Sequence, residues 1–251
     1  RSHDRLQAIV RQLNPCAIFA DDAEHFSTSI EACRGDHAVI ASRNIPENSG
    51  IHSLKEMLSK ESTGEVDRLF AAIGPDTHAK YLLTSGSTGT PKVVVNTQRM
   101  MCSNQQMIAQ YMPFLEKKAP RVLDWLPWSH IFGTNHNFNM VLRNGGSLYI
   151  DNGKPLPGLI GETIRNIRHV KPNLFFNVPK GYEVLLEHMR DDEALCQTFF
   201  SNLDMLFYAG AALSRPVWDE LKHLCEATGN DVFFTTEWGG TETAPAITNV
   251  H

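Results

Sequence analysis

Hydroxyl and glycine residues crowd the segment from Tyr81 to Lys92, which reads Tyr-Leu-Leu-Thr-Ser-Gly-Ser-Thr-Gly-Thr-Pro-Lys. Glycines let a backbone turn tightly and expose its N–H groups, and concave runs of N–H groups bind anions. Lys92 adds a mobile positive charge that suits phosphate. The apolar residues before this run, and residues 93–95 after it, are typical of strands. The pattern therefore predicts a loop between two strands that holds a polyphosphate.

This loop differs from the common phosphate-binding patterns. A Walker A loop places its Lys directly after the last Gly, whereas Thr90 and Pro91 separate Gly89 from Lys92 here. The segment also lacks the third glycine of G-x-G-x-x-G, and it does not match the G-x-S-x-G nucleophile elbow. A flexible Ser/Thr/Gly linker is the alternative, but such linkers rarely lie between strand-like runs and end in Pro-Lys.

Three further segments combine residue types that suit ligand binding. Residues 235–245 place Thr, Glu and Gly around a Trp, although a polar loop around a core Trp is the plainer interpretation. Residues 207–213 are mostly small and would let a flat base approach, but ordinary packing between a strand and a helix explains them equally well. Residues 124–139 are rich in aromatic residues and include His130 and His136. A structural role is favoured for His136, and a metal site built on these two histidines lacks a third ligand.

Composition narrows the class of protein. The chain has 251 residues, enough for one large or two small domains, and its 42% hydrophobic and 20% charged content is ordinary for a globular protein. The net charge of -5 and the lack of a basic run argue against a nucleic-acid partner. No apolar run approaches the ~18 residues of a membrane span, and the first residues do not resemble a signal peptide. Five scattered cysteines without C-x-x-C favour reduced thiols, a cytoplasmic location and no zinc site.

Short apolar runs alternate with helical patterns of 10–15 residues, which predicts an α/β fold with a mostly parallel sheet flanked by helices. Predicted helices cover residues 4–13, 53–60, 97–115, 158–170, 180–190 and 214–227, with Ser214 as the N-cap of the last. Predicted strands cover residues 17–20, 38–41, 81–84, 93–96, 121–126, 147–150, 173–178, 203–208 and 231–235. Binding sites in such sheets collect at the carboxyl ends of the strands. The segments that suit ligand binding all follow predicted strands.

The chain resembles the adenylate-forming (AMP-binding) enzymes: acyl-CoA synthetases, luciferases and the adenylation domains of peptide synthetases. Their signature T-S-G-S-T-G-x-P-K-G is matched from Thr84 to Lys92, with Val93 in place of the final Gly. Their Y-G-x-T-E motif corresponds to residues 238–242, where Trp replaces Tyr. The family's P-x-x-H-x-x-G segment aligns with residues 127–133, and its adenine-binding G-G-A-x-L with residues 209–213.

The resemblance assigns roles to individual residues. It implies that the β- and γ-phosphates are held by Thr84, Ser85, Gly86, Ser87, Thr88, Gly89 and Lys92. It implies nucleotide contacts from Gly210, Ala211, Glu237, Trp238 and Thr241, with the Trp stacking on adenine and the Thr at the α-phosphate. It implies acyl contacts from His130, Phe132, Asn135 and Gly239. The implied catalytic residues are Lys92, His130, Thr241 and Glu242, of which Glu242 would also hold Mg²⁺.

The segments 125–138 and 144–155, together with the Trp of the Y-G-x-T-E position, are most similar to feruloyl-CoA synthetases and other aromatic acyl-CoA synthetases. This resemblance implies that ATP, Mg²⁺ and coenzyme A act on a small carboxylic acid, with ferulate or a related hydroxycinnamate expected. Whole family members continue into a ribose-binding T-G-D motif, a hinge and a C-terminal domain. We therefore expect residues 1–251 to be a partial N-terminal AMP-binding domain, truncated at both ends.

The residues leave three other functions open. A plain ATPase or phosphotransferase would consume ATP without any acid. A non-catalytic nucleotide- or acyl-binding module would bind without turnover, which the expected truncation makes plausible for this chain. An adenylating enzyme could also deliver its acyl group to a carrier protein instead of coenzyme A.

Overall fold

The computed structural model describes residues 3–84 and 91–250. These residues form two compact units along the chain. The first unit runs up to Gly74 and includes the described part of Leu83–Val93, and the second contains Pro75–Leu82 and everything from Val94 onward. Within the described ranges, no helix is long and apolar enough to cross a membrane.

The first unit is a small α/β arrangement around a three-stranded parallel sheet with strand order β1-β2-β3. Its helix α1 forms as its sequence predicts, with apolar residues at helical spacing, although none of its residues is fully buried. Its elements are α1 (Asp4–Leu13), β1 (Ala17–Asp22), α2 (Ser27–Ala32), β2 (Ala38–Arg43), β3 (His52–Ser53), α3 (Leu54–Leu58) and α4 (Gly64–Ala71).

Two strands form the predicted pair around the hydroxyl- and glycine-rich segment. Strand β4 covers His78–Thr84 and strand β5 covers Lys92–Thr97, and the two make a separate two-stranded sheet. Strand β4 begins in the second unit and ends in the first, whereas strand β5 begins in the first unit and ends in the second. The prediction of strands on both sides of residues 85–90 is therefore confirmed.

The second unit contains a six-stranded sheet with strand order β11-β10-β9-β8-β6-β7. All of its neighbouring strands are parallel except β10 and β11, which are antiparallel. The mostly parallel α/β fold predicted from the sequence is thus confirmed. The elements are α5 (Gln98–Tyr111), β6 (Arg121–Asp124), α6 (Asn139–Arg143), β7 (Ser147–Ile150), α7 (Ile160–Val170), β8 (Leu174–Asn177), α8 (Pro179–Met189), α9 (Glu193–Phe200), β9 (Met205–Tyr208), α10 (Arg215–Ala227), β10 (Phe233–Gly239) and β11 (Ala246–Val250).

Apolar cores cover both faces of this sheet, because successive side chains of a strand point to opposite faces. In β8, Phe175 packs into the core formed with α7, α8, α9 and α10, whereas Leu174 and Phe176 pack into the core formed with α5. In β9, Leu206 and Phe207 divide in the same way. Burial on both faces explains why these strands read as continuous apolar runs.

A π-helix follows strand β6 and was not predicted from the sequence. It covers Phe132–Phe138 and continues directly into α6. A π-helix is rare and frequently occurs at functional sites. The sequence analysis also missed α2, α4, α6, α9, β3 and β11, and it ended β10 too early. Ser214 stands at the N-cap of α10 as predicted, but its side chain makes no capping hydrogen bond.

Gly133 lets this π-helix lie against the chain that leaves β6. A Cβ at this position would lie 2.7 Å from the carbonyl oxygen of Leu126 and 2.8 Å from that of Pro127, both closer than real Cβ atoms come. Backbone atoms cannot move aside as a flexible side chain can. The glycine of the P-x-x-H-x-x-G segment is therefore required by close packing.

We predict that Gly133→Ala lowers the free energy of unfolding by about 1–3 kcal/mol, the usual cost of overpacking. Helix propensity alone would favour Ala by up to about 1 kcal/mol, so the clash must outweigh it. The matched control is Gly161→Ala in α7, where an added Cβ meets no atom within 4 Å. Thermal unfolding followed by circular dichroism measures both variants. Equal melting temperatures for the two would contradict this role of Gly133.

Candidate functional site

Three chain segments of the second unit enclose a cavity of about 210 Å³, here named the central cavity. They are residues 130–136, 207–210 and 237–246, which contain its lining residues. The first segment follows β6 and the second follows the carboxyl end of β9. The third runs from the end of β10 into β11. Three segments that are far apart in sequence, and that suit ligand binding, thus meet at one site beside the sheet.

Aromatic rings form one wall of the central cavity. The imidazole of His136 lies 5.0 Å from the ring of Phe207 and 5.7 Å from the ring of Phe132, measured between centroids. The rings of Phe132 and Phe207 are 5.6 Å apart. Phe176, on β8, packs against all three of these rings. Such tilted and edge-to-face contacts are favourable and leave flat surfaces toward the cavity.

His136 is buried, with 1% of its side chain exposed, and its hydrogen bonds fix its tautomer. Its Nδ1 lies 2.8 Å from Oδ1 of Asn137, and Nδ2 of Asn137 donates to Oδ2 of Asp124 at 3.0 Å. Because the amide nitrogen of Asn137 faces the carboxylate, its oxygen faces the imidazole and can only accept. Nδ1 of His136 therefore carries the proton, and burial lowers the pKa of the ring to about 4. In the neutral ring, Nε2 is left as a hydrogen-bond acceptor.

Glu237 faces this imidazole from β10, with 5% of its side chain exposed. Its Oε2 lies 3.3 Å from Nε2 of His136, which is longer than a well-formed hydrogen bond of ~2.7–3.2 Å, and Nε2 has no hydrogen-bond partner among the described residues. Burial raises the pKa of the Glu237 carboxyl to about 8. At neutral pH this is a contact between a neutral acid and a neutral imidazole, not an ion pair.

Asp124 anchors the far end of this chain of hydrogen bonds. It ends β6, and its Oδ1 accepts from the backbone N–H of Leu126 at 3.0 Å while Oδ2 accepts from Asn137. Burial raises its pKa to about 6. The carboxyl is therefore mostly ionised at neutral pH, and its two hydrogen bonds compensate a buried charge that would otherwise be costly.

Buried amides connect the π-helix to the loop that contains Thr241. Asn96, fully buried on β5, donates to the carbonyl oxygen of Thr241 at 3.3 Å and accepts from Nδ2 of Asn135 at 2.7 Å. Lys80 on β4 donates to Oγ1 of Thr134 at 2.7 Å and to Oδ1 of Asn135 at 3.0 Å. Burial lowers the pKa of this lysine. The side chain of Asn135 is thus fully engaged in holding the π-helix.

Helix α5 adds two more buried amides to this framework. Asn104 donates to the carbonyl oxygen of Ala246 at 2.9 Å, and Gln105 donates to that of Asn135 at 2.8 Å. At the start of the same loop, Gly239 is held so closely that a Cβ would lie 1.8 Å from the carbonyl oxygen of Pro245. The loop between β10 and β11 therefore has little freedom to move relative to the π-helix.

The structure brings some of the predicted site residues together at the central cavity. Six of them line it: His130, Phe132, Gly210, Glu237, Gly239 and Thr241. Of these, Glu237 was predicted as a nucleotide contact, and its carboxyl lies against His136.

Other predicted residues lie elsewhere. Asn135, predicted as an acyl contact, does not line the cavity, because its side chain is used by Lys80 and Asn96. Ala211 and Trp238 are not in the lining either, and the indole of Trp238 is 69% exposed. An exposed indole remains available to a ligand outside the cavity.

The predicted phosphate loop is described only at its ends. Thr84 is the last residue of β4 and Lys92 is the first residue of β5, both in the first unit. The predicted contacts from Ser85, Gly86, Ser87, Thr88 and Gly89 lie outside the described residues.

Glu242 was predicted to hold Mg²⁺. Its residue is exposed, and it makes no ion pair among the residues that the structure describes. In the same described ranges, no three His, Cys, Asp or Glu side chains cluster as a metal site would require. One free carboxylate fits a Mg²⁺ ion that is bound mainly through substrate phosphates and water, which is the usual manner for this ion.

Sequence reasoning missed much of the polar framework of the site. It favoured a structural role for His136 and gave no role to Lys80, Asn96 or Asn137. The sequence feature that could have indicated this framework is the density of amide side chains in residues 135–139, which is unusual for a segment that must be buried beside a sheet. Buried amides need partners, so they indicate a network. Its members on β4, β5 and β6 could not be identified without the fold.

The sequence matches the AMP-binding enzyme family over residues 2–251, and the chain belongs to this family. It is 30% identical over 172 residues to a long-chain-fatty-acid–CoA ligase of Yersinia pestis, covering 66% of this chain and 27% of that ligase. It is also 30% identical over 175 residues to a marinolic acid–CoA ligase of a Pseudoalteromonas species, covering 68% and 25% of the two chains. The chain thus matches about a quarter of the length of these relatives.

Solved structures share the fold. An anthranilate CoA ligase in complex with anthranoyl-AMP superposes with a TM-score of 0.76 at 20% identity, over 99% of this chain and 45% of that one. A luciferase-like enzyme from the mealworm Zophobas morio gives a TM-score of 0.73 at 16% identity, over 100% and 54% of the two chains. The chain therefore spans about half of these structures.

The contact between His136 and Glu237 predicts a dependence of stability on pH. Between its unfolded pKa of 4.5 and its folded value of about 8, Glu237 keeps a proton that the unfolded chain has released, so stability falls as pH rises. His136 acts oppositely between about 4 and 6.5, where the unfolded chain binds the extra proton. Below pH 6.5 the two changes in stability with pH offset each other. Above pH 6.5 only the loss of stability due to Glu237 remains.

We predict that Glu237→Gln melts at a higher temperature than the original chain at pH 8. The difference should be roughly 2–4 °C for each kcal/mol gained in the free energy of unfolding, and it should narrow toward pH 5. Folding of the original chain takes up a proton at Glu237, and glutamine has no such proton to take up. Thermal unfolding across pH 5–8 measures this, with Glu226→Gln on an exposed surface of α10 as control. A gap that does not change with pH would contradict a protonated Glu237.

Proposed function

We propose that this chain carries the acyl-binding and part of the nucleotide-binding site of an acid–CoA ligase that forms AMP. In the first half-reaction, an oxygen of the acid's carboxylate attacks the α-phosphorus of ATP and pyrophosphate leaves. In the second, the thiolate of coenzyme A attacks the acyl carbon and AMP leaves. The observation that carries the proposal is that the segments of His130, Gly210 and Thr241 converge on one cavity.

The chain's residues divide between the two substrates. Thr241, whose carbonyl is held by buried Asn96, stands at the cavity where an α-phosphate would meet the carboxylate. His130 lies at the exposed side of the same cavity, and its Nδ1 accepts from the backbone N–H of Phe132 at 3.2 Å. Orienting two reactants in this way lowers the activation barrier, because the entropy of bringing them together has already been lost on binding. When bound, Mg²⁺ at Glu242 would neutralise phosphate charge.

Lys92 and residues 84–89 are proposed to hold the β- and γ-phosphates. Their composition supports this role, since a lysine and backbone N–H groups of a glycine-rich loop are suited to anions. The family match extends across this segment. These residues would position the leaving pyrophosphate, while the central cavity holds the acyl group.

We infer that the acid is compact and aromatic, with ferulate or a related hydroxycinnamate as the candidate. The volume of about 210 Å³ is below the ~300–1,000 Å³ of pockets that enclose drug-sized ligands. Its wall of Phe132, Phe207 and His136 suits a flat ring. A solved neighbour that shares the fold was determined with anthranoyl-AMP, which also contains an aromatic acyl group.

A long-chain fatty acid is the second candidate, favoured by the names of sequence relatives in Yersinia pestis and Bacillus subtilis. A long alkyl chain would need an apolar tunnel beyond the central cavity. The buried polar groups of His136 and Glu237 would be left facing it, which costs free energy. The polarity of the wall therefore favours the aromatic acid over the fatty acid.

The test is the exchange of labelled pyrophosphate into ATP, measured in the protein that carries this chain with ferulate, 4-hydroxycinnamate and palmitate in turn. We expect exchange that requires an acid and is fastest with a hydroxycinnamate. Coenzyme A should then give the thioester, which distinguishes it from a carrier protein as acceptor.

Other outcomes decide between the alternatives. Turnover of ATP without any acid would indicate an ATPase or phosphotransferase and would contradict the proposal. Binding of nucleotide without exchange would indicate a non-catalytic module. Exchange that is fastest with palmitate would overturn only the choice of acid.

A further inference from the structure

One buried polar atom, on a residue that lines the central cavity, has no hydrogen-bond partner among the described residues. It is Nε2 of His136, whose imidazole is 1% exposed. A buried polar group without a partner costs about 1–3 kcal/mol and is rare in folded proteins. Because His136 also lines the cavity, the missing partner can come from a ligand there.

The hydrogen-bond chain behind this imidazole defines what that partner must be. Asp124 accepts from Asn137, whose oxygen then accepts from Nδ1 of His136. Nε2 is therefore an acceptor that needs a donor. A C–H group, an ether or a carbonyl cannot supply one, whereas a hydroxyl or an amine can.

Glu237 lies beside this imidazole acceptor and offers a hydrogen-bond donor. Its side chain is 5% exposed and lines the same cavity, and its Oε2 lies 3.3 Å from Nε2 of His136. Its other oxygen, Oε1, receives only a long contact of 3.5 Å from Nδ2 of Asn249. A protonated carboxyl at this position offers one O–H donor. At 3.3 Å it is farther from Nε2 than a well-formed hydrogen bond of ~2.7–3.2 Å, so a ligand hydroxyl at normal distance from both groups would satisfy them better than they satisfy each other.

We propose that His136 and Glu237 form a hydroxyl-recognition pair, in which the hydroxyl of an acyl substrate donates to Nε2 of His136 and accepts from the carboxyl of Glu237. A hydroxyl is both donor and acceptor, so it satisfies both groups at once. A primary ammonium would leave the carboxyl proton without an acceptor, and a methyl group would satisfy neither residue.

The pair makes His136 and Glu237 specificity-determining residues, and this inference rests on the proposed function of the central cavity as an acyl pocket. The flat rings of Phe132 and Phe207 beside His136 favour a hydroxyl carried on an aromatic ring. A site that is built to hydrogen-bond a substrate hydroxyl rejects the analogue without it, because its buried polar groups are then left unpaired. The substrate class is thus a hydroxylated aromatic acid.

The experiment compares non-hydrolysable acyl-sulfamoyl-adenosines bound to the chain by isothermal titration calorimetry. The matched ligands carry cinnamoyl, 3-hydroxycinnamoyl and 4-hydroxycinnamoyl groups, and adenosine sulfamate without an acyl group is the reference. We expect at least one hydroxylated ligand to bind about tenfold or more tightly than the cinnamoyl ligand, because two buried groups gain partners.

Two substitutions of Glu237 separate recognition from packing. Glu237→Gln keeps a donor of the same size and should keep the preference for the hydroxylated ligand. Glu237→Leu removes the donor and should reduce that preference toward unity while the cinnamoyl ligand still binds. The measured ratio of dissociation constants is internal to each variant, so a general loss of stability does not imitate the result.

The outcomes also distinguish this inference from the proposed function. Equal affinity for all three acyl ligands, each tighter than adenosine sulfamate, would overturn the hydroxyl-recognition pair and leave the acyl pocket in place. Affinity no better than that of adenosine sulfamate for every acyl ligand would contradict the acyl pocket itself. A Glu237→Leu variant that keeps the full hydroxyl preference would remove Glu237 from the pair.

Discussion

The site depends on a chain of hydrogen bonds that starts at the carboxyl end of β6. Asp124 is buried there and holds Asn137, and Asn137 in turn fixes the tautomer and direction of His136. Buried polar groups of this kind are costly unless every member is satisfied. The chain of hydrogen bonds is satisfied up to its last atom, Nε2 of His136, and His136 is a residue that lines the central cavity. The fold therefore directs its one uncompensated polar atom among these residues to the place where a ligand can satisfy it.

Two structural features make this arrangement possible. The π-helix at Phe132–Phe138 places Phe132 and His136 in the cavity lining, while Asn135 and Asn137 of the same segment are buried and hydrogen-bonded elsewhere in the unit. Gly133 lets that helix approach the backbone after β6, and Gly239 does the same for the loop after β10. Packing at both glycines thus fixes the π-helix and the loop after β10 against neighbouring backbone, and in the proposed function the polarity of the cavity selects the acyl group.

Much of the fold could be predicted because it follows from local pattern. Apolar runs such as residues 173–178 are buried on both faces, and their length and composition indicate strands of a parallel sheet. The π-helix was not predictable, because no local pattern distinguishes it from other buried segments. Strand β11 was missed because two of its five residues, Thr248 and Asn249, are polar and interrupt its apolar residues. Its partner β10 supplies the pairing that its own sequence does not indicate.

The residues of the candidate site that belong to sequence motifs were predictable. The contacts between residues far apart in the sequence were not. Phe132, Gly210 and Thr241 stand in recognisable segments, and each lines the cavity. The contact between His136 and Glu237 joins residues about a hundred positions apart, and neither residue belongs to a motif that requires the other. Burial gives both side chains their unusual protonation, and burial at that level is a property of the folded chain.

The most direct test is a crystal structure of the chain with a 4-hydroxycinnamoyl-sulfamoyl-adenosine. The account predicts that the aromatic ring lies in the central cavity beside Phe132 and Phe207. It also predicts that the hydroxyl lies within about 2.7–3.2 Å of Nε2 of His136 or of the Glu237 carboxyl. An acyl group bound outside the cavity, with Nε2 of His136 still without a partner, would contradict it.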